Sequence, residues 1–379
     1  MTVSLSGERV TLRSMSIADL PLLIRWGSDA EFRQYQWGQG PGRFEETAAR
    51  SWIEVMSRPG ESACWVIEHE SRGVGFANYR DLQPKARSAE IGIGIGEPAL
   101  WGRHLGREAL GLLVRHLEDD LGLRRVSLHV IATNDRAVWA YKACGFEVEG
   151  IERGAVATDR GTFLDDVAMA RVAGRTPPAF RPWPVTLAGD VVRLVPLRME
   201  HAAALHAAGD EDEVWAHVQP RPFGVAGYAA YIRRALDEQI LGNHLPFAVQ
   251  RRSDGEIVGT TRYAHIDPPN RTLEIGWTFY GKGARRTAVN TEAKLLLLGH
   301  AFDALTANRV WLQTDRRNER SQQAMARLGA TKDAELRDER ILADGTLRTS
   351  VIYAITRPDW DEVRARLRAF LGRPGEMLS

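Results

Sequence analysis

A turn that leads directly into a helix is the first segment of this sequence whose residues could do chemistry. It reads WGRHLGR over residues 101–107 and follows a strand that the pattern places over 90–95. Gly102 and Gly106 allow close approach to the backbone, and Arg103 and Arg107 add positive charge. The amides at a helix N-terminus attract anions. The turn is therefore a candidate pyrophosphate site, although such turns also occur with a purely structural role.

The elements around this turn occur twice. The segment Ala89-Glu90-Ile91-Gly92 recurs as Leu273-Glu274-Ile275-Gly276, an offset of 184 positions. The same offset, without gaps, pairs further residues: Glu108 with Glu292, Arg125 with Arg309, Asn134 with Asn318, Gly145 with Gly329, and Val167 with Val351. Repetition at a fixed period indicates repeated structural units. We therefore expect two diverged copies of one domain.

A proline-rich segment separates the two copies. Residues 174–187 contain four prolines, which are excluded from helices and central strands. We expect an N-terminal domain over 1–173, this linker over 174–187, and a C-terminal domain over 188–379 that ends in an appended helix from Asp359 to Leu371. Phe180 and Trp183 suggest that the linker packs against a domain.

Periodicity places strands and helices in the same order in each half. Val126, Leu128 and Val130 alternate as in a half-buried strand. An amphipathic helix is predicted from about Gly106 to Asp119, and a second helix begins after Asn134, a good N-cap residue. The corresponding elements of the second half follow at the same offset. His116 and His300 lie on the apolar stripes of their helices, so we interpret both as core residues.

Composition excludes several classes of protein. The 50 basic and 49 acidic side chains nearly cancel, so no overall field favours nucleic acid or an anionic membrane. Cys64 and Cys144 have no metal-ligand spacing, so we predict neither a disulfide nor a metal site. The N-terminus is polar where a signal peptide would be apolar, and no stretch has the length of a membrane span. We expect a cytoplasmic protein.

A series of motifs follows in order along the chain: the turn, then the strand that begins at Arg125, then Asn134, Tyr141 and Gly145-Phe146. This series resembles the GNAT superfamily of N-acetyltransferases, and in particular its ribosomal-protein acetyltransferase branch. The resemblance implies an α/β (α+β) fold in which each domain has a mixed, mostly antiparallel twisted sheet flanked by helices. Trp101 and His104 depart from the family's pattern, which has Arg or Gln and glycine at these positions.

The resemblance also implies an activity, the transfer of an acetyl group from acetyl-CoA to an amine without a metal. An alkyl amine is neutral in roughly one molecule in 2,500 at pH 7, so a base must remove its proton. By resemblance Glu90 is the base and Tyr141 the acid that protonates the departing thiolate. The alternatives are an ion pair of Glu90 with an arginine and simple packing of Tyr141. The residues implied in acetyl-CoA binding are Ile93, Ile95, Trp101, Arg103, His104, Leu105, Gly106, Arg107 and Asn134.

The second copy departs further from this pattern. Its turn, RRTAVNTEAK over residues 285–294, has no glycine at the helix start but resembles a variant of the same branch. Met325 stands where Tyr141 does, and a thioether cannot donate a proton. An active second site would use Glu274 as base and Ser321 as acid. We expect the first domain to be active and the second to be degenerate or structural; catalysis in the second, or in both, remains the alternative.

The acceptor cannot be assigned from the sequence. Acidic and aromatic residues before the second strand of each domain could bind a cationic amine, or they could be solvated helix surface: Asp29, Glu31, Tyr35 and Trp37, and Asp210, Glu211, Asp212 and Glu213. A small-molecule or peptide amine is expected, and the protein is expected to be a monomer or a homodimer. Two rivals remain: a non-catalytic acyl-CoA-binding sensor, and an enzyme for longer acyl groups.

Overall fold

A computed structural model of the chain describes residues 3–35, 45–158, 161–175, 178–215, 221–342 and 344–372. The chain divides into two compact units, Met1–Pro177 and Pro178–Ser379, called unit 1 and unit 2 below. This division falls inside the predicted linker. Phe180, from the same segment, is buried in the core of unit 2, so this part of the linker packs as the sequence suggested. The bounds of a separate linker stay a prediction.

Unit 1 contains an eight-stranded sheet and five α-helices in the part of the chain that is described. The strands are β1 (Leu5–Ser6), β2 (Thr11–Ser14), β3 (Ala63–His69), β4 (Arg72–Gln83), β5 (Ser88–Ile95), β6 (Arg125–Ile131), β7 (Glu147–Ala157) and β8 (Phe163–Val172). The helices are α1 (Leu20–Ser28), α2 (Ala30–Arg33), α3 (Glu46–Met56), α4 (Leu105–Arg115) and α5 (Asp135–Ala143). The strand order is β1-β2-β3-β4-β5-β6-β8-β7.

Unit 2 repeats this architecture and adds a helix at its end. Its strands are β9 (Leu187–Ala188), β10 (Val192–Pro196), β11 (Leu245–Arg251), β12 (Ile257–Asp267), β13 (Thr272–Tyr280), β14 (Arg309–Asp315), β15 (Thr331–Ile341) and β16 (Leu347–Thr356). Its helices are α6 (Ala202–Gly209), α7 (Asp212–Trp215), α8 (Gly224–Leu241), α9 (Ala288–Gly299), α10 (Glu319–Leu328) and α11 (Trp360–Leu371). The order β15-β16-β14-β13-β12-β11-β10-β9 matches that of unit 1, so the predicted repeat and the predicted fold class are confirmed.

The predicted helices are present with small changes at their ends. The helix expected over 106–119 is α4, which begins at Leu105 and passes into a π-helical turn over His116–Asp120. Asn134 caps α5 by accepting a hydrogen bond from the Ala137 amide, as predicted. The appended C-terminal helix is α11, and its Trp360 stacks on Phe302 with the ring centroids 5.5 Å apart.

The histidines and cysteines lie mostly as expected. His116 is buried with Nδ1 2.7 Å from Asp120, and His300 is half-buried and stacks on Tyr263, so both are structural. Cys64 is buried, whereas Cys144 is only partly buried, and both are free thiols.

In each unit a glutamate on a helix, α4 or α9, holds the hairpin that the first two strands form. Glu292, in α9, accepts hydrogen bonds from the amides of Asp190, Val191 and Val192 at 2.6 to 2.8 Å. A Cβ at Gly189 would lie 2.3 Å from the Glu292 Cδ, so this close approach requires glycine. Glu108 does the same in unit 1, where it accepts from the Arg9 amide at 2.8 Å. The paired glutamates found in the repeat therefore hold the fold together.

Candidate active site

Each sheet opens at its one parallel pair of strands. In unit 1 the pairing of β5 with β6 ends at Glu90 opposite Ser127, and in unit 2 the pairing of β13 with β14 ends at Glu274 opposite Trp311. Beyond these residues the strands separate. Each glutamate therefore stands where the two strands begin to separate. Glu274 lines the cavity of unit 2, whereas Glu90 does not line the cavity of unit 1.

The cavity of unit 1 is small. It has a volume of 300 Å³ and includes three of the predicted site residues, Ile93, Asn134 and Tyr141. Tyr141 is buried and packs on Phe146 with ring centroids 6.0 Å apart, and this burial raises the pKa of its hydroxyl well above the ordinary value. The hydroxyl therefore stays protonated at neutral pH. The cavity brings these three residues together, and their roles stay a prediction.

Glu90 is engaged in an ion pair. Its carboxylate accepts a hydrogen bond from the guanidinium of Arg80, the residue directly opposite on β4. This is the contact that the alternative interpretation of the sequence proposed. A base must have a free lone pair for the incoming proton, and the arginine occupies one of the two carboxylate oxygens, Oε1. The role of Glu90 as base stays a prediction, and the geometry favours a structural ion pair.

A cation–π contact links the predicted pyrophosphate turn of unit 1 to α5. The Trp101 indole Nε1 donates to the Ile95 carbonyl at 2.7 Å, and the Arg136 guanidinium lies 3.6 Å from the centre of a Trp101 ring. Arg136 belongs to the first turn of α5 and Trp101 to the turn that precedes α4, so this contact links these two segments. His104 is the N-cap of α4, with φ at +63°. Eight predicted site residues do not line the cavity: Glu90, Ile95, Trp101, Arg103, His104, Leu105, Gly106 and Arg107.

The cavity of unit 2 has a volume of 630 Å³, about twice that of unit 1. It reaches from Glu274 to the N-termini of α9 and α10. Side chains of four kinds line it: the acids Glu274 and Glu319, the hydroxyls of Thr287 and Ser321, the amides of Asn290 and Asn318, and the cations Arg285, Arg286, Lys294, Arg317, Arg320, Arg327, Arg340 and Arg348.

Glu274 is buried, with 4% of its surface exposed. Burial raises the pKa of its carboxyl to about 7, against the opposing effect of four nearby cations. Its Oε2 makes no hydrogen bond, and the nearest basic group is the His265 Nε2 at 3.5 Å. Burial lowers the pKa of His265 in turn, so this imidazole is neutral at pH 7. Glu274 is thus a carboxylate with a free oxygen that gains and loses a proton near neutral pH.

The turn before α9 fits an anionic group. Thr287 caps the helix, and Arg286 precedes it in a left-handed conformation with φ at +57°. Arg285 donates to the Tyr280 carbonyl and to Glu211, both at 2.9 Å, which fixes its position. Arg285 and Arg320 occupy the positions of Trp101 and Arg136, so the cation–π contact of unit 1 has no counterpart in unit 2. Positive charge at a helix N-terminus suits a pyrophosphate.

The two units differ in their candidate proton donors. Ser321, in the first turn of α10, lines the large cavity, and its amide donates to Asn318 Oδ1 at 3.0 Å. Ala137 is its counterpart in unit 1. Met325 lines the same cavity at the position of Tyr141. Each unit thus places one hydroxyl side chain on this helix near its cavity.

Sequence reasoning missed the cations around Glu274. Arg262, Lys294, Arg340 and Arg348 all lie close enough to act on its carboxylate. Lys294 is buried, and burial lowers its pKa to about 8. A comparison of the two copies could have found these residues, because the same offset gives uncharged counterparts: Asn78, Leu110, Val156 and Leu164.

The acidic residues considered for the acceptor mostly have structural contacts. Asp29 caps α2 by accepting from the Phe32 amide at 2.9 Å, and Asp210 binds Arg221 at the same distance. Glu211 binds Arg285. Trp37 and the side chain of Glu213 lie outside the described residues. These contacts agree with a structural role for the acids.

One group of side chains in unit 1 has ligand atoms within 4.8 Å of one another, His129, Glu152 and Asp166. His129 Nδ1 lies 2.9 Å from Asp166 Oδ2, a hydrogen-bond distance that accounts for the closeness of these two. The expectation that the protein uses no metal stays a prediction.

The fold of both units is that of an acyltransferase domain. Residues 9–147 and 192–331 each match the family model described as "Acetyltransferase (GNAT) domain". The two matches cover more than half of the chain, which therefore belongs to the GNAT acetyltransferase family and carries two such domains. No described helix combines the length and apolar character needed to cross a membrane.

Relatives match the chain over about one domain. The uncharacterized N-acetyltransferase p20 of Bacillus licheniformis is 25% identical over 38% of this chain and 83% of its own length. A Bacillus subtilis protein named as a ribosomal N-acetyltransferase, YdaF, is 30% identical over 28% of this chain and 58% of its own. The match to an uncharacterized Methanocaldococcus jannaschii protein, 30% identical over 37% of this chain, spans 28% of that protein.

Two further proteins have names that indicate an activity. The spermidine N(1)-acetyltransferase of Vibrio cholerae is 24% identical over 38% of this chain and 82% of its own length. The crystal structure of a GCN5-related N-acetyltransferase from Brucella melitensis aligns with a TM-score of 0.49 and 24% identity, over 55% of this chain and 97% of that one.

Proposed function

We propose that the protein transfers an acetyl group from acetyl-CoA to a primary amine, and that the reaction takes place in the cavity of unit 2. The observation that carries the proposal is Glu274. This residue combines burial, a free carboxylate oxygen and a pKa near 7 on the wall of the larger cavity. An acid in a cleft whose pKa is strongly shifted by burial is a candidate functional residue. The preference for unit 1 drawn from the sequence is thereby reversed.

The proposed chemistry assigns a task to each residue. Bound acetyl-CoA would supply a thioester, whose carbonyl carbon takes the amine nitrogen while the thiolate leaves. Glu274 removes the amine proton, and a base whose pKa lies near the working pH does this most effectively. Ser321 stands at the N-terminus of α10 to return a proton to the thiolate. Arg286 and the first turn of α9 would hold the pyrophosphate.

Unit 1 is the second candidate site, because Tyr141 is protonated and lines a cavity. Three observations weaken it: the cavity is half as large, Glu90 is paired with Arg80, and the stack of Arg136 on Trp101 bridges the turn. We propose that unit 1 is degenerate or structural. A protein that only senses an acyl-CoA would show binding without turnover.

Thiol release from acetyl-CoA against a panel of amines tests the proposal. Glu274→Gln should abolish release while Glu90→Gln, the matched change in unit 1, leaves it intact. Calorimetry of acetyl-CoA binding to both variants shows whether the loss lies in chemistry or in binding. Loss with Glu90→Gln alone would move the active site to unit 1, and binding without release by the wild type would favour a sensor.

The acceptor class and the location complete the proposal. The names of two relatives indicate a ribosomal protein and spermidine as acceptors, so a peptide or small-molecule amine is proposed here. A cytoplasmic location and a monomeric or homodimeric state are likewise proposed. The formal net charge of only +1 supports an acceptor that is neither nucleic acid nor membrane.

A further inference from the structure

We propose that the acceptor of unit 2 is an amine that also carries a carboxylate, and that Arg340, Arg348 and Arg262 bind this carboxylate. The inference rests on the proposed function, since it names the acceptor class of the same site. Its first support is the placement of two arginines in the cavity wall beside Glu274.

Arg340 and Arg348 stand directly opposite each other on the antiparallel strands β15 and β16. Side chains in such a pair are about 5 Å apart at Cβ, and like charges there destabilise the sheet. Both residues line the cavity, and the Arg348 Nε is buried without a hydrogen bond. An anion between the two guanidinium groups would remove the repulsion and satisfy the buried donor.

Arg262 gives the second support. Only 3% of its surface is exposed, yet its Nε and Nη2 are buried without hydrogen-bond partners. Its guanidinium lies 5.0 Å from the Tyr231 ring centre and 5.3 Å from that of Trp277, which lines the cavity. Aromatic faces stabilise the charge but do not replace the missing acceptors. A buried cation with unused donors therefore points to an anionic ligand.

The acids near this cluster do not balance its charge. Glu274 is the buried acid among Arg262, Lys294, Arg340 and Arg348. Asp315 is held at both oxygens by Arg317. Glu339 accepts from Gln313 at 3.0 Å and from Ser350 at 2.6 Å, and lies 3.7 Å from Arg340. The site keeps a positive excess, which disfavours a polyamine and favours a carboxylate.

The cations are not needed by the fold. Unit 1 has the same strands and register with Val156 opposite Leu164, where unit 2 has Arg340 opposite Arg348. Asn78 stands in place of Arg262. A sheet that folds with an apolar pair at this position has no structural reason for two arginines, so their presence in unit 2 indicates binding.

The phosphates of coenzyme A are the other possible anions. The cations proposed for the phosphates belong to the turn before α9, Arg285 and Arg286, whereas Arg340 and Arg348 act on the carboxylate of Glu274, the proposed base for the amine. The experiment separates the two sources because it measures acetyl-CoA binding independently of acceptor use.

The test compares amino acids with the amines that lack their carboxylate, such as L-lysine with cadaverine, in the thiol-release assay. Arg348→Gln should lower the ratio of kcat/KM for the acid over the amine by about 10- to 100-fold, the size expected for a charge-assisted hydrogen bond. The affinity for acetyl-CoA measured by calorimetry should stay the same. Arg234→Gln, an exposed change in α8, is the control and should leave the ratio unaltered.

Every outcome of this experiment either supports or overturns the inference. A wild type that prefers cadaverine and other amines without a carboxylate would overturn the inference and leave the proposed function standing. An unchanged ratio in Arg348→Gln and Arg340→Gln, or a loss confined to acetyl-CoA affinity, would overturn it as well. If neither amino acids nor amines without a carboxylate stimulate thiol release, the proposed function is overturned together with the inference.

Discussion

The replacement of Glu274 by glutamine is the most informative perturbation of this protein, because it changes the charge of one buried oxygen and almost nothing of its shape. Removal of a positioned general base costs about 10²- to 10⁴-fold in rate. With a pKa of about 7, the wild-type carboxyl is ionised in roughly a tenth of molecules at pH 6 and nine-tenths at pH 8. The wild-type rate should therefore rise about ninefold over this range, and Glu274→Gln should lack the rise.

Stability should move in the opposite direction from activity. The pKa of Glu274 is raised from 4.5 to about 7 on folding, so between these values the folded state binds more protons than the unfolded state. The free energy of unfolding therefore falls as pH rises through this window, by roughly 3 kcal/mol in total. Glutamine does not titrate. At pH 8 the variant should be at least as stable as the wild type while being far less active.

Two assays follow these effects in the same samples. Thiol release from acetyl-CoA at saturating amine gives the pH profile, and denaturant unfolding at pH 5 and pH 8 gives the stability difference. Glu90→Gln serves as the control for both. A wild-type profile that is flat across neutral pH, together with an active Glu274→Gln, would show that Glu274 is not the base.

Further substitutions test the remaining arguments. Tyr141→Phe should leave thiol release unchanged, measured across the same pH range; a loss of turnover would restore unit 1 as the active site. Arg136→Ala should remove the contact between Arg136 and Trp101 at the predicted pyrophosphate turn of unit 1. Calorimetry should then detect a second acetyl-CoA site, whereas an unchanged single site would mean that this contact does not block binding. Gly189→Ala should destabilise unit 2 by about 1 to 3 kcal/mol in denaturant unfolding, because the new Cβ would meet Glu292; a stability equal to the wild type would refute the close approach.

The fold could be predicted largely from local patterns. Asn134 and Asn318 marked the start of the same helix in both copies, because an N-cap side chain acts on amides only three residues away. Alternation placed β6, and the repeat at one offset predicted two domains. These features depend on neighbours in sequence, which a single chain displays directly.

The choice between the two sites could not be predicted in this way. Glu90 and Glu274 occupy equivalent positions, and the sequence preferred Glu90 because Tyr141 and two glycines stood nearby. Their difference arises from residues on other strands. Arg80 reaches Glu90 from β4, whereas Glu274 keeps a free oxygen in a buried environment.

The sequence by itself determined that this chain holds two related domains of one family, since the spacing of Glu90, Asn134 and Gly145 and its repetition at one offset are properties of the chain. Only the tertiary structure decided which glutamate has a raised pKa and which turn is bridged by an arginine stacked on a tryptophan. The physical reason is that desolvation and charge depend on distances between residues far apart in sequence. Burial of Glu274 among Arg262, Lys294, Arg340 and Arg348 exists only after four strands and α9 have come together.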